Sequence, residues 1–189
     1  MKTYKIQSIP RNARKVFTGK LCEIYQWEQN MFDGKTKIFE KIKYNDAVNI
    51  IAITKNKNIL VTKEIQPQSK SFYSVPGGTI DNNETPLDGA KRELLEETGY
   101  GAKKWLKFHQ SQPMTRLEWN VYTYIAIDCE KKKNQIQSNG SKIIVSEKSL
   151  LEFLNIIMDD TYRDREITLK LLKIRDNPKA WKKFEKLFS

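Results

Sequence analysis

Three glutamates, Glu93, Glu96 and Glu97, are the residues of this sequence whose types and spacing are best suited to chemistry. Residues three and four positions apart share one face of a helix, so a helix would place the three carboxylates together. Carboxylates crowded in this way repel one another unless a cation lies among them, and Mg²⁺ prefers oxygen ligands. The alternative is a solvated acidic face in which Arg92 pairs with Glu96. The cluster therefore predicts either a divalent-metal site or an ordinary charged surface.

The segment around these glutamates carries signals for the beginning and the end of a helix. Thr85 is a favourable N-cap, and Pro86 suits the first helical position. Gly99 suits the left-handed conformation that often follows a helix. The apolar stripe beside the glutamates comprises Leu87, Ala90 and Leu94. These features predict a helix over residues 86–98 that packs on a sheet.

The spacing upstream of the helix favours the metal site. Gly78 is followed after five residues by Glu84, and Glu84 after seven more by Arg92-Glu93-Leu94. One further residue precedes Glu96-Glu97, and one more precedes Gly99. This pattern resembles the Nudix box, the signature of the Nudix hydrolases. Because so many fixed positions match at fixed spacing, a chance match is a poor explanation.

The resemblance implies a role for each matching position. The implied metal ligands are Glu93, Glu96, Glu97 and the backbone carbonyl of Gly77, and the three glutamates are also the implied catalytic residues. The implied supporting residues are Gly78, Glu84, Arg92 and Gly99, with Arg92 orienting the glutamates through ion pairs. The implied cofactor is Mg²⁺, with Mn²⁺ as an alternative. Tyr100 is the one departure, since the family usually has an aliphatic residue there.

The rest of the chain resembles the ADP-ribose pyrophosphatase branch of the family, though more weakly than the box does. Two predicted strands, 21–29 and 36–44, flank Asp33-Gly34, which is a strong hairpin signal. In that branch, N-terminal strands build a homodimer, so we expect residues 1–45 to be a dimer-forming extension and 46–189 the Nudix domain. One feature departs from the branch: the chain has Glu64-Ile65-Gln66-Pro67 where the branch often has Gln-Tyr-Arg, so a phosphate-contacting arginine is missing there.

Six further residues are candidates for the site, each with a plainer alternative. By analogy with the branch, Glu118 is a candidate catalytic base or else a surface glutamate. Arg116 is a candidate contact for phosphate or ribose, or else a solvated side chain. Trp27 and Tyr44 are candidates for stacking on a base, although aromatic residues on strands usually belong to the core. Asp159-Asp160 is either a second metal pair or a pair of helix caps, and we favour the caps.

The remaining patterns predict an α+β chain, which the resemblance specifies as a Nudix α/β/α sandwich with a mixed sheet and an N-terminal antiparallel strand pair. The other predicted strands are residues 47–54, 59–65, 72–75, 119–127 and 143–145. The other predicted helices are residues 149–158, 167–175 and 178–187.

Composition limits the function less sharply. The chain has 189 residues and a net charge of +11, which permits an RNA substrate but also fits a lysine-rich surface. Its two cysteines indicate no disulfide framework, and no apolar run is long enough to span a membrane, so we expect a cytoplasmic protein. The predicted activity is Mg²⁺-dependent hydrolysis of ADP-ribose or a nucleotide sugar. The alternatives are removal of pyrophosphate from an RNA 5′ end or a nucleoside triphosphate, or an inactive binding module.

Overall fold

Two sheets and four helices make up the part of the chain that the computed structural model describes, residues 8–136 and 140–188. The four-stranded sheet contains β1 (Arg14–Thr18), β2 (Cys22–Asn30), β3 (Thr36–Tyr44) and β10 (Leu117–Glu118). The eight-stranded sheet contains β4 (Ala47–Thr54), β5 (Ile59–Ile65), β6 (Phe72–Ser74), β7 (Gly77–Thr79), β8 (Tyr100–Gly101), β9 (Lys104–Ser111), β11 (Val121–Lys131) and β12 (Lys142–Lys148). The helices are α1 (Pro86–Thr98), α2 (Leu150–Ile156), α3 (Arg165–Arg175) and α4 (Pro178–Glu185).

Strand β4 lies at the centre of the larger sheet and is apolar on both faces. Its residues Ile50 and Ala52 pack with Ala90 and Leu94 of α1. The alternate residues of β4 pack against α2, α3 and α4 on the opposite face. Helices therefore cover both faces of a mixed sheet, in which β4 pairs in parallel with β11 and antiparallel with β5. This confirms the predicted α/β/α sandwich.

Helix α1 begins and ends where its capping residues predict. The Thr85 hydroxyl accepts a hydrogen bond from the Asp88 backbone N–H at 3.2 Å. Gly99 follows the helix with a φ of 76°, and its N–H donates to the Leu95 carbonyl. Leu94 is fully buried, which fixes the helix on the sheet and leaves Glu93 and Glu97 beside the buried stripe.

The N-terminal strands differ from the predicted pair. Strands β2 and β3 form the expected hairpin, but β1 adds a third antiparallel strand and β10 pairs in parallel with β3. Sequence patterns could not indicate β10, because it has only two residues and its partner strand is distant in the chain. The N-terminal segment and the predicted Nudix domain therefore share one sheet.

Several other bounds also differ from the predictions. Strand β11 begins at Val121 instead of residue 119, and α3 begins at Arg165 instead of residue 167. Strands β7, β8 and β9 were not predicted; β7 contains two glycines, which disfavour strands. None of the helices described is long and apolar enough to cross a membrane.

Candidate active site

The short connection between β6 and β7 brings Gly77 and Gly78, together called the glycine loop, against α1. The backbone N–H of Gly77 donates to Glu97 Oε2 at 2.9 Å. A Cβ atom on Gly77 would clash with the Val48 carbonyl, and one on Gly78 would clash with the Glu93 carboxylate. Gly77 is therefore needed because the backbone of β4 approaches so closely, whereas a side chain at position 78 would displace the Glu93 carboxylate.

Arg92 organises the polar face of α1. Its Nε and Nη2 atoms donate to the two carboxylate oxygens of Glu84, each at 3.0 Å. Its Nη1 atom donates to Glu93 at 2.8 Å and to Glu96 at 3.3 Å, and Nη2 also reaches the Thr79 carbonyl at 2.9 Å. The hydrogen bonds to Arg92 hold the pKa of Glu84 below its ordinary value. Arg92 thus links Thr79 and Glu84 to Glu93 and Glu96.

The carboxylates of Glu93 and Glu97 lie in surroundings that disfavour negative charge. Burial raises the pKa of Glu97 to about 8, against the opposing effect of the Gly77 N–H, and the charges of Glu93, Glu64 and Asp164 raise it further. Burial also raises the pKa of Glu93, although Arg92 opposes the shift. A nearby cation would favour the ionised form of both groups.

This donor set suits a hard divalent cation by its chemistry, because it offers carboxylate oxygens that are partly withdrawn from water. Within residues 8–136 and 140–188, no group of three or more His, Cys, Asp or Glu residues is already arranged to hold a metal ion. Glu93 and Glu96 are instead bonded to the same nitrogen of Arg92. An ionised carboxylate has about four lone-pair sites, so Glu93 and Glu96 could hold a cation while they accept the hydrogen bonds from Arg92.

A cleft of about 530 Å³ opens beside Glu97. Gly77, Gly78 and Glu97 line its α1 wall, while Arg163 and Asp164, which precede α3, line the opposite wall. The smaller sheet and the segment after β10 contribute two aromatic residues to the lining, Tyr44 and Trp119. The cleft is thus lined by both charged and aromatic residues.

A family model described as the NUDIX domain matches residues 43–164, which include α1, its three glutamates and the glycine loop. The chain is a Nudix hydrolase. Enzymes of this family act on nucleoside diphosphate derivatives and generally use a divalent metal, which agrees with the donor set on α1.

Curated relatives of this Nudix hydrolase differ in their named activities. It is 32% identical to the ADP-ribose pyrophosphatase of Bacillus subtilis (strain 168), over 57% of each chain. It is 28% identical to the methanol dehydrogenase activator of Bacillus methanolicus, over 87% of this chain and 91% of that one. An RNA pyrophosphohydrolase of Wolbachia pipientis subsp. Culex pipiens (strain wPip) is 30% identical over 44% of this chain and 54% of its own length.

A solved structure described as an ADP compounds hydrolase shares the fold. It superposes with a TM-score of 0.73 at 18% identity and covers 90% of this chain and 94% of its own. At that identity the likeness establishes the fold and no more. The overall fold is therefore a known architecture.

The structure brings only some of the sequence candidates to the cleft. Tyr44 lines it, whereas Trp27, Arg116 and Glu118 are not among its lining residues in the described part of the chain. Trp27 is buried and packs on Phe39.

The placement of Glu118 does not support its expected role as the base. Leu117 and Trp119 line the cleft, so the side chain between them on the extended chain faces the other way. The Glu118 carboxylate accepts the Ile9 N–H at 2.6 Å and lies near Lys41.

Asp164 is a residue of the cleft that sequence reasoning missed. It occupies the N-cap position of α3, but its side chain makes no capping bond there and instead accepts the Val75 N–H at 2.9 Å. Burial raises its pKa to about 6, while the Val75 N–H and Arg163 oppose that shift. The expected helix caps, Asp159-Asp160, do not begin α3: Asp159 bonds the backbone and hydroxyl of Thr161 in the preceding turn.

Residues 75–77 form a strap that carboxylates hold from both sides. Asp164 binds the N–H of Val75, and Glu97 binds the N–H of Gly77. Between them, the Pro76 carbonyl accepts the Ile50 N–H from β4 at 2.8 Å. The strap therefore joins α1, β4 and the beginning of α3 at the floor of the cleft.

Proposed function

We propose that this Nudix hydrolase cleaves the diphosphate link of ADP-ribose or a nucleotide sugar, giving a nucleoside monophosphate and a sugar phosphate. Relatives named ADP-ribose pyrophosphatase in Bacillus subtilis and ADP-sugar pyrophosphatase in Mus musculus support this choice. We propose Mg²⁺ as the cofactor, with Mn²⁺ as the alternative, because the donors are carboxylate oxygens.

The extent of the cleft is the observation that carries the proposal. Its volume of about 530 Å³ is in the usual range for sites that enclose a small molecule. Its lining includes Glu97 and Gly77 of the Nudix box and the aromatic residues Tyr44 and Trp119. A diphosphate bound near Glu97 would leave room for a nucleoside against the aromatic side chains.

The protein's own groups account for binding and orientation. The Nudix box presents Glu93 and Glu97, with Arg92 and the Gly77 N–H fixing their positions. A bound divalent cation would offset the charge of the diphosphate and lower the pKa of a water molecule. In the proposed reaction a carboxylate of the site takes the proton of the attacking water. The water oxygen bonds to one phosphorus in line as the bridging P–O bond breaks, and the other phosphate leaves.

Steady-state kinetics on a substrate panel tests this function. The panel should contain ADP-ribose, several nucleotide sugars, dGTP and a 5′-triphosphorylated RNA, each with Mg²⁺ and with Mn²⁺. We expect ADP-ribose or a nucleotide sugar to have the highest kcat/KM. A tenfold advantage for dGTP or RNA, equivalent to about 1.4 kcal/mol of transition-state binding, would contradict the proposal.

Removal of pyrophosphate from an RNA 5′ end is the second candidate. The net charge of +11 suits a polyanion, and relatives named RNA pyrophosphohydrolase align over parts of the chain. If RNA is the substrate, its binding should weaken steeply as salt rises, because phosphate contacts release counterions. The third alternative, an inactive binding module, is less consistent with an intact set of three glutamates.

We also propose that the protein assembles as a homodimer through the smaller sheet. Large apolar side chains on or beside its strands are exposed, including Phe17 at 51%, Leu21 at 75% and Ile38 at 63%. Where such side chains form one contiguous patch, the patch marks an interaction site. Light scattering at micromolar concentration should give the mass of two chains, and a monomeric mass would contradict this assembly.

A further inference from the structure

We propose that Arg163 binds the diphosphate oxygens of the substrate from the wall of the cleft opposite α1. This inference rests on the proposed function, since it assumes that a diphosphate enters the cleft. It assigns a residue outside the Nudix box to substrate recognition.

The charges of the cleft point to Arg163. The acidic residues that line it are Glu64, Glu97, Asp164 and Glu166. Among the described lining residues, Arg163 and Arg165 are the basic ones. A diphosphate entering a cleft with this many carboxylates needs positive charge nearby, and an arginine guanidinium can bind two phosphate oxygens at once.

Arg165 is already occupied by the fold. Its Nη1 atom donates to the Asp159 carbonyl at 3.1 Å, and its Nη2 atom donates to the Asp160 carbonyl at 2.8 Å. These bonds hold the turn before α3. Arg165 is therefore a structural residue, and Arg163 is the cation better placed to meet a ligand.

The backbone of Arg163 is firmly placed on the cleft wall. Its N–H donates to the Tyr73 carbonyl at 2.8 Å, and the Tyr73 N–H donates to the Thr161 carbonyl at 2.9 Å. The Asp164 carboxylate adds the bond to Val75. Residues 161–164 thus run beside β6 and the strap, and these bonds do not involve the Arg163 side chain.

Among residues 8–136 and 140–188, the Arg163 side chain has a ring contact and no hydrogen-bond partner, so its N–H groups can donate to a ligand. Its guanidinium lies over the Phe72 ring, 5.1 Å from the ring centroid. Stacking on a ring face orients the planar group and keeps its edge open for an anion. Phe72 pairs with Glu64, near the end of β5, where the chain has Gln66 and Pro67 instead of an arginine. Arg163 places a cation beside that strand end from a different part of the chain.

Three variants test the assignment: Arg163→Ala, Arg163→Lys and the control Arg175→Ala, an exposed arginine at the far end of α3. Because the Arg163 backbone bonds remain, each variant should shift the melting temperature by less than about 2 °C. For Arg163→Ala we expect kcat/KM on ADP-ribose to fall roughly 10- to 100-fold, mainly through a higher KM. Arg163→Lys should recover part of the loss, since it keeps the charge but loses the planar fork. Arg175→Ala should match the unmodified protein.

Binding of inorganic pyrophosphate, measured by calorimetry in the presence of Mg²⁺, separates this inference from the proposed function. Pyrophosphate contains the diphosphate without any sugar or base. We expect Arg163→Ala to weaken its binding about tenfold relative to both the unmodified protein and Arg175→Ala. Equal pyrophosphate affinity in Arg163→Ala and the unmodified protein, or no pyrophosphate binding by either, would overturn the role of Arg163. If the unmodified protein hydrolysed neither ADP-ribose nor any nucleotide sugar of the panel, while Arg163→Ala still bound pyrophosphate more weakly, only the proposed substrate would be overturned.

Discussion

The two walls of the cleft hold the strap by the same kind of bond but are built differently. On the α1 wall, Glu97 projects from a capped helix fixed by the buried Leu94, and Arg92 ties its neighbours together. On the α3 wall, Asp164 projects from an extended segment that is held by backbone bonds to β6. The α1 wall places several carboxylates beside the cleft, whereas the α3 wall fixes the position of the strap. Substitutions on the first should therefore change catalysis, whereas substitution of Asp164 on the second should change stability.

The largest expected effect is that of Glu97→Gln. Loss of this carboxylate should lower kcat by roughly 10²–10⁴-fold, as for a key catalytic group, while the amide can still accept the Gly77 N–H. The melting temperature should stay the same or rise, because a buried carboxylate is replaced by a neutral group. Kinetics and thermal unfolding of this variant, beside the exposed control Glu185→Gln, check the prediction. If Glu97→Gln were as active as the unmodified protein, Glu97 would not be a catalytic residue.

A smaller loss is expected for Arg92→Lys. Lysine keeps the positive charge but cannot bind both oxygens of Glu84 while also reaching Glu93, so the glutamates should lose their orientation. We expect kcat to fall by roughly 10- to 100-fold. The control is Arg175→Lys on α3. If Arg92→Lys retained full kcat, the network would be a stabilising ion pair without a positioning role.

Asp164→Asn should show a pH-dependent gain in stability. Because the folded-state pKa of Asp164 is about 6, above its ordinary value of 3.8, the folded protein keeps this proton over a range where the unfolded chain has lost it. Stability from this group is therefore present at low pH and is lost as pH rises toward 6. Asparagine avoids that cost and can still accept the Val75 N–H.

Urea unfolding of Asp164→Asn and the unmodified protein, at pH 4.5 and pH 7.5, measures the difference. The variant should be more stable by roughly 1–2 kcal/mol at the higher pH and by less at the lower pH. A gain that is the same at both pH values would show that the carboxylate charge is not the cause. A loss of stability at both would show that the Val75 bond needs the charged acceptor.

The smallest effect is expected for Glu118→Gln. Its carboxylate faces away from the cleft and bonds the Ile9 N–H, so we expect kcat to change by less than about threefold. This variant tests whether the catalytic groups are confined to the walls described above. If Glu118→Gln lowered kcat as much as Glu97→Gln, Glu118 would again be the candidate base. Its carboxylate would then have to reach the cleft in the active protein.

The α1 wall was predictable because its determinants are local. Thr85, Pro86 and Gly99 mark the helix, and the spacing of the glutamates sets their common face. The bounds of β3, β4 and β5 also agree with the patterns of alternation and turns. In each of these cases the residues that decide the structure are close together in sequence.

The α3 wall was not predictable because its determinants are distant in sequence. Asp164 precedes a helix and so resembles a cap, yet its partner is Val75. Arg163 belongs to no motif, and it reaches the cleft because its N–H pairs with Tyr73. Strand β7 forms despite its glycines because β4 offers it hydrogen-bonding partners at Val48 and Asn49. Such pairings follow from tertiary packing, which overrides local propensity.

The parallel pairing of β4 with β11 has a consequence for how the chain folds. The partner of Ala47 is Val121, so the whole Nudix box is synthesised before the strand that covers this edge of β4. Until then β4, with Ile50, Ile51 and Ile53 fully buried in the finished protein, presents apolar residues and an unpaired edge. Because long-range parallel pairing is slow, nascent or refolding chains should pass through an aggregation-prone stage that ends when β11 docks.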